Sequence, residues 1–546
     1  MYRYLIRKNP YILLYLLMAP LSAISSIACA GAVAAAVDYA SGGELSQIWT
    51  YLAFFGAYIL LDFAIDTTAE LIRFRLTKRT MMALKMDVYH KTARMCYLHF
   101  FQHNTADYIS MMTADADMLR TSYFSVLLEL YMDFLRCGLA IFVLFCLSPI
   151  LGVFVLVNAL IQTAIPILCA KKLEKVGENY SNAQEQYMTS LKETLSAFLT
   201  AKVFHVEDKL EENYAQALEY AEESRRKMKG FRILTSNLSF VFSTVTHLGV
   251  FLLGSILTIR GVISMAEVVA SAQIIVFISS PIYQLNMQLT DLRTSRASAK
   301  KLQALLDEPE DLGGEIRMEQ PSGCIQVENL RFRYNSDREI LKGISYEFQQ
   351  GKKYLIVGSS GCGKSTFLNL LAGLREDYTG SIFLKDTELR QLSRASLTQS
   401  ICIINQEPFL FDDTLYNNIC LYESVDKEMV LDALRRVELE PFLTTMPKGI
   451  DTPMGENAGV ISGGEKQRVV IARALVRKTP ILLLDESTSH LDPSTVAEIE
   501  RLVLSLEGVT VLLVSHNATE TAKALADQVL EMRDGTLHSL NLESKR

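Results

Sequence analysis

The residues Tyr354-Leu355-Ile356-Val357-Gly358-Ser359-Ser360-Gly361-Cys362-Gly363-Lys364-Ser365-Thr366, followed by Phe367-Leu368-Asn369-Leu370-Leu371, read as an apolar strand, a glycine-rich turn and the start of an apolar helix. The turn fits G-x-x-x-x-G-K-[ST] and stands where a phosphate-binding loop belongs. Glycines let successive backbone N–H groups converge on phosphate oxygens, and the helix beginning at Lys364 aims its positive end at them. The pattern predicts a nucleoside triphosphate site in which Gly358, Ser359, Ser360, Gly361, Cys362 and Gly363 form the cradle. Lys364 neutralises the β- and γ-phosphates, Ser365 offers its hydroxyl to Mg²⁺, and Thr366 adds a polar contact in the first helical turn.

Downstream, Ile481-Leu482-Leu483-Leu484-Asp485-Glu486 is an apolar run ending in two carboxylates, the composition of a buried parallel strand. Asp485 at its carboxyl end is placed to hold Mg²⁺, and Glu486 to accept a proton from an attacking water. Between these motifs lies Val460-Ile461-Ser462-Gly463-Gly464-Glu465-Lys466-Gln467-Arg468-Val469-Val470-Ile471-Ala472-Arg473-Ala474-Leu475, which resembles the signature motif of ATP-binding cassette proteins. Ile461 and Glu465 depart from the usual L-S-G-G-Q form.

The resemblance implies that Ser462, Gly463, Gly464 and Glu465 clamp the γ-phosphate of ATP held by a partner cassette, so that two cassettes face each other. It further implies that Tyr334 stacks on adenine, that Gln406 touches Mg²⁺, and that His516, after the apolar Leu513-Val514-Ser515, contacts the γ-phosphate. Asp492, in Ser489-His490-Leu491-Asp492, belongs to the loop that crosses to the other cassette, with His490 where a small residue is usual. The implied cofactors are ATP and Mg²⁺.

Residues 322–546 carry these motifs, and residues 1–305 have a different composition, joined through a linker at 306–321. Apolar stretches at 11–37, 47–65, 123–147, 150–169, 238–259 and 266–289 each have the length of a membrane-crossing helix. A cleavable signal is rejected, because the first apolar run exceeds a signal's core and five more follow. Residues 1–8 read as an interfacial segment, and Pro20 and Pro281 as kink sites. The net charge of −7 decides little, because the basic residues are segregated. Arg3, Arg7 and Lys8, the segment 73–120 and the segment 171–232 are basic, whereas the connections 38–46 and 148–149 lack Lys and Arg. This asymmetry predicts that both termini and the cassette face the cytoplasm of a bacterial-type plasma membrane. The nine cysteines show no C-x-x-C spacing and no disulfide framework.

The connections 66–122 and 170–237 are too long for turns, and Leu191, Thr194, Leu195, Phe198 and Leu199 recur with helical spacing, so the spans are expected to continue as helices beyond the bilayer. The predicted fold class is therefore an α-helical six-span membrane domain with long cytoplasmic helix extensions, plus an α/β P-loop ATPase cassette. This is similar to the ABC exporter (type IV) fold, a resemblance extended by the run from Pro408 to Ile419 and by candidate coupling segments at 103–110 and 202–208. It implies a half-transporter that pairs with a second copy, or with a related half, to move an amphiphilic solute, peptide or lipid across the bilayer. Import by the same fold class stays open. A soluble role in DNA repair or translation is disfavoured by the six spans, no nucleic-acid partner is expected, and no peptidase domain is expected before the first span. Asp62, Asp66, Glu129 and Asp133 lie at i,i+4 spacing in the second and third spans, with two readings: carboxylates that attract a cationic or zwitterionic substrate, or partners of Arg73 and Arg136. His247 is a further candidate lining residue.

Overall fold

The computed structural model describes residues 1–6, 9–42, 48–311, 313–334, 338–405, 409–455, 461–485, 493–516 and 518–540. The chain forms two compact units. Unit one comprises Met1–Ala93 and Asn104–Glu308, and unit two comprises Arg94–His103 and Pro309–Arg546.

Unit one is helical. Its long helices are α1 (Tyr11–Gly42), α2 (Ile48–Ala93), α3 (Ser125–Leu147), α4 (Pro149–Ser196), α5 (Glu207–Ile259) and α6 (Met265–Asp307). Among the described residues six helices are long and apolar enough to cross a membrane, and they overlap the six stretches expected from composition. In hydrocarbon every backbone N–H and C=O must be satisfied within the element, which is why these stretches are helical. Their starts are local chemistry. The Ser148 hydroxyl accepts from the Leu151 N–H at 3.5 Å with Pro149 in the first turn, and Ser264 and Glu267 form a reciprocal capping box at the start of α6. Pro20 and Pro281 lie inside uninterrupted helices. Two π-type turns, Met111–Asp115 and Arg120–Phe124, lead into α3.

Helices α4 and α5 continue far beyond a membrane span, as the helical spacing predicts, and are joined by a short helix, Phe198–Phe204, that ends at left-handed His205. They pack antiparallel: the Gln162 amide donates to the Ser239 carbonyl at 3.2 Å, and the Tyr187 and Tyr214 hydroxyls meet at 3.1 Å. Close approach needs glycine at Gly249, where a Cβ would lie 2.3 Å from the Phe154 ring.

Unit two is built on two sheets. A four-stranded antiparallel sheet has the order β2 (Glu339–Phe348), β1 (Ile325–Arg333), β4 (Thr379–Leu384), β5 (Thr387–Glu388). A six-stranded sheet has the order β10 (Thr536–Leu540), β9 (Gln528–Arg533), β3 (Lys353–Val357), β8 (Thr510–Ser515), β7 (Ile481–Asp485), β6 (Ile401–Ile404), parallel except for β10. Helices α7 (Lys364–Leu371), α8 (Gly463–Val476) and α9 (Pro493–Leu504) cover it. The strands β3, β7 and β8 are apolar over residues 354–356, 481–484 and 511–514 because both faces are buried there.

Two segments outside the sheets belong to this unit. Residues around 309–316 run along the cassette, with bridges from Gly313 to Ser393 and from Ile316 to Leu392. The helix Tyr97–Phe100 and its flanks also join it, the Arg94 carbonyl accepting from the Asp311 N–H at 2.8 Å. That places 94–103, just before the expected coupling segment at 103–110, with the cassette.

Asn418, fully buried, closes the run 409–419. Its amide donates to the Phe411 and Thr414 carbonyls, its carbonyl accepts from the Phe411 N–H at 2.8 Å, and Arg473 of α8 reaches both its backbone and its side chain. Asn418→Ala leaves these groups unpaired at a cost of about 2 kcal/mol, so calorimetry of the full chain is expected to show the cassette transition lowered by roughly 4–8 °C.

Candidate functional site

Strands β3, β8 and β7 are adjacent and in parallel register, so their carboxyl ends bring Gly358, His516 and Asp485 to one edge. The chain leaves β3 through the glycine-rich turn, where Gly361 and Gly363 have φ of 76° and 108°, and enters α7 at Lys364. Gly358 is required for a different reason: a Cβ there would lie 2.4 Å from the Met532 carbonyl oxygen. The first two carbonyls of the loop, those of Gly358 and Ser359, turn inward. Those carbonyls hold Lys364, which is 3% exposed: its ammonium donates to the Gly358 and Ser359 oxygens at 2.9 and 3.0 Å and lies 4.0 Å from Cys362 Sγ.

Around this ammonium the sequence-predicted residues converge. His516 Nε2 lies 3.5 Å from Lys364 Nζ. Ser365 Oγ donates to Asp485 Oδ1 at 2.9 Å, which sets two oxygen donors side by side. Hard oxygen donors of this kind suit Mg²⁺, so Ser365 and Asp485 fit the metal role expected of them. Tyr334 sits half exposed with its hydroxyl 3.0 Å from Thr366 Oγ1. Ser359, Ser360, Gly361 and Cys362 also form one wall of a 390 Å³ cleft whose rim carries Arg338, Lys342 and Arg533.

The signature residues lie on α8. Ser462 is its N-cap, and Gly463 and Gly464 are its first residues. Glu465 closes the cap, its Oε2 accepting from the Ser462 N–H and hydroxyl, both at 2.7 Å. The departure from glutamine therefore has a structural role: a carboxylate sits on the hydroxyl and N–H that the resemblance assigns to phosphate. Gln406, Glu486, Ser489, His490 and Asp492 lie outside the described residues.

Two contacts were missed at the sequence level. The Arg375 guanidinium stacks 4.7 Å from the rings of both Tyr334 and Phe332 and is fixed by Asp377 at 2.9 and 2.7 Å. This bidentate pair lowers the Asp377 pKa and raises that of Arg375. The pair's contribution is present above the ordinary carboxylate range and is lost as pH falls through the lowered Asp377 value. Glu500 of α9, 1% exposed, accepts from the Thr519 hydroxyl and N–H at 2.7 and 3.3 Å, pinning the chain just after His516. Neither the stacking of Arg375 on Tyr334 nor the pairing of Glu500 with Thr519 has a local sequence signal.

In unit one the acidic residues are paired. Asp62 accepts from Ser25 at 2.7 Å, Asp66 from Ser22 at 2.9 Å and from Arg136 at 3.5 Å, and Asp133 from Gln288 at 2.9 Å. Arg73 bridges Glu70 and Glu129 at 2.7 and 3.0 Å. Pairing with Arg73 and Arg136 is thus present for Glu129 and Asp66, while Asp62 and Asp133 rest on neutral groups.

Two sequence families match the chain: "ABC transporter" over residues 341–489 and "ABC transporter transmembrane region" over residues 11–282. An Arabidopsis thaliana protein, ABC transporter B family member 24, mitochondrial, is 32% identical over 66% of this chain and 54% of its own length. An ATP-dependent lipid A-core flippase of Pseudomonas aeruginosa is 28% identical over 83% of this chain and 76% of its own. The chain thus spans about half the length of the first of these relatives. A solved structure of a bacterial Atm1-family ABC exporter with ATP bound superposes with a TM-score of 0.80 at 22% identity, covering 96% of this chain and 94% of that one.

Two outcomes follow from the cleft. Arg375→Ala frees Tyr334, and steady-state kinetics are expected to show KM for ATP raised about three- to tenfold with kcat little changed, the loss of a cation–π contact of about 1 kcal/mol. Alkylation of Cys362 with N-ethylmaleimide puts bulk against Lys364 and abolishes hydrolysis. Bound ATP protects, and Cys362→Ala removes the sensitivity.

Proposed function

The chain belongs to the ABC transporter family, and from that premise we propose that two copies assemble to couple ATP hydrolysis to export of an amphiphilic solute across a membrane. The observation that carries the reading is the union in one chain of six membrane-length helices with a cassette in which Lys364, His516, Ser365 and Asp485 converge. The relatives' names support export, and the basic residues flanking the long inner connections support a cytoplasmic cassette in a bacterial plasma membrane.

In this reading the backbone N–H groups of the loop and Lys364 bind the phosphates, and Tyr334 stacks on adenine. Bound Mg²⁺ supplies charge neutralisation across the phosphates, held by Ser365, Asp485 and Gln406. Glu486 takes the proton of the attacking water and His516 orients the γ-phosphate. The α8 N-terminus of the partner cassette, with Ser462, Gly463 and Gly464, covers the γ-phosphate from the far side. Glu465 must release Ser462 for that clamp to form, so closure exchanges a carboxylate for a phosphate. Asp492 belongs to the loop that joins the two sites.

Glu486→Gln keeps shape but cannot accept a proton, so in lipid nanodiscs hydrolysis is expected to fall by roughly 10²-fold or more with ATP binding retained. Near-normal turnover overturns the assignment of the base. The mass of the purified assembly tests the pairing: a chain inactive alone but active with a second half-transporter replaces the homodimer by a heterodimer. ATP-driven accumulation in inside-out vesicles supports export, and accumulation only in whole cells supports import.

A further inference from the structure

Within unit one a cavity of 160 Å³ lies where α1, α2, α3 and α6 meet, lined among others by Tyr15, Arg73, Glu129, Asp133, Arg136 and Gln288. Its walls are polar and almost fully committed, with two exceptions. Gln288, 5% exposed, donates its amide N–H to Asp133 at 2.9 Å, and its buried carbonyl oxygen Oε1 accepts nothing. Arg136 reaches Ser22 and Asp66 through one terminal nitrogen at 3.4 and 3.5 Å, while its buried Nε donates to nothing. Buried polar atoms without partners are rare, and here an orphan acceptor and an orphan donor belong to side chains that line one cavity.

The charge around them is unbalanced. The carboxylates of Glu70, Glu129 and Asp133 line the cavity against the guanidiniums of Arg73 and Arg136. Arg73 is occupied by Glu70 and Glu129, so Asp133 is left with the neutral amide of Gln288 as its hydrogen-bond partner. A carboxylate without a cation beside an unmet carbonyl oxygen is what an ammonium group satisfies, since it supplies several donors and a positive charge. Water would satisfy the two orphan atoms but not the surplus charge. The donor left on Arg136 calls for an acceptor next to that ammonium.

We propose that this cavity receives the zwitterionic headgroup of an amphiphile, its ammonium on Asp133 and Gln288 and its anionic or acceptor group on Arg136. The proposal rests on the transport reading and names the substrate class for it. The volume admits a headgroup and leaves an alkyl chain outside.

The test measures binding to the full chain in nanodiscs of phosphatidylglycerol, without hydrolysis, using dodecylphosphoethanolamine, dodecylamine and dodecanol. Binding is expected in that order, with at least about a tenfold gap between amine and alcohol, the scale of one charge-assisted hydrogen bond. Asp133→Asn and Gln288→Leu are expected to weaken the amine and the zwitterion by about tenfold without affecting the alcohol. Arg136→Gln weakens the zwitterion alone. Should Gln288→Leu fail to fold, Gln288→Met, which keeps the length of the side chain and removes the orphan oxygen, is expected to weaken amine binding by about tenfold. Similar affinities for all three probes, variants that bind as the parent does, or equal competition by free phosphoethanolamine each overturn the proposal. The transport reading fails separately: it requires ATPase activity that Lys364→Ala abolishes, whatever the probes do.

Discussion

The nucleotide cleft is organised around the ammonium of Lys364, held almost out of solvent by the carbonyl oxygens of Gly358 and Ser359. A charge in that position draws the Gly358 and Ser359 carbonyls inward and fixes the course of the glycine-rich turn. The parallel register of β3, β8 and β7 then does the rest of the assembly. Because the three strands end together, residues far apart in the chain form two contacts at one edge, Lys364 with His516 and Ser365 with Asp485. Glu500 and Arg375 stiffen this edge from behind, one fixing the exit of β8 and the other the aromatic Tyr334.

Unit one obeys a different constraint. Exposed apolar side chains such as Phe134, Leu168 and Ile259 are intolerable in water and suited to hydrocarbon, so the helices are held by a few polar contacts between them rather than by a dry core alone. Asn9 shows the economy of this: its amide caps the start of α1 and reaches the Leu76 carbonyl and Thr80 on α2. The carboxylates of α2 and α3 serve the same end where a serine or arginine faces them, and they exceed it at Asp133.

The phosphate loop was legible because its chemistry is local: strand, glycines, lysine and helix follow one another within a single stretch. The spans were legible for a related reason, since a bilayer dictates both length and composition. What could not be read were pairings across the fold. The partners of Asp62 and Asp66, Ser25 and Ser22, stand on α1 and look like ordinary small helix residues. Arg375 and Glu500 gave no local sign of Tyr334 or Thr519. The grouping of 94–103 with the cassette goes with the backbone bond from Asp311 to Arg94, which has no local sign in the sequence. Glu465 was seen as a departure, and only the cap geometry explains how an acid is accommodated at a helix start.

Helices α4 and α5 are 48 and 53 residues long, about 70 and 80 Å at the helical rise, against a hydrocarbon core of about 30 Å. Locked together by contacts such as Gln162 with Ser239 and Tyr187 with Tyr214, they behave as one stiff lever with its fulcrum in the bilayer. A tilt of about 5° at the membrane end moves a tip some 40 Å away by about 3.5 Å, close to the thickness of a nucleotide base. Rigidity in this hairpin therefore acts as mechanical gain, and its Tyr187–Tyr214 contact is where that gain is most easily softened.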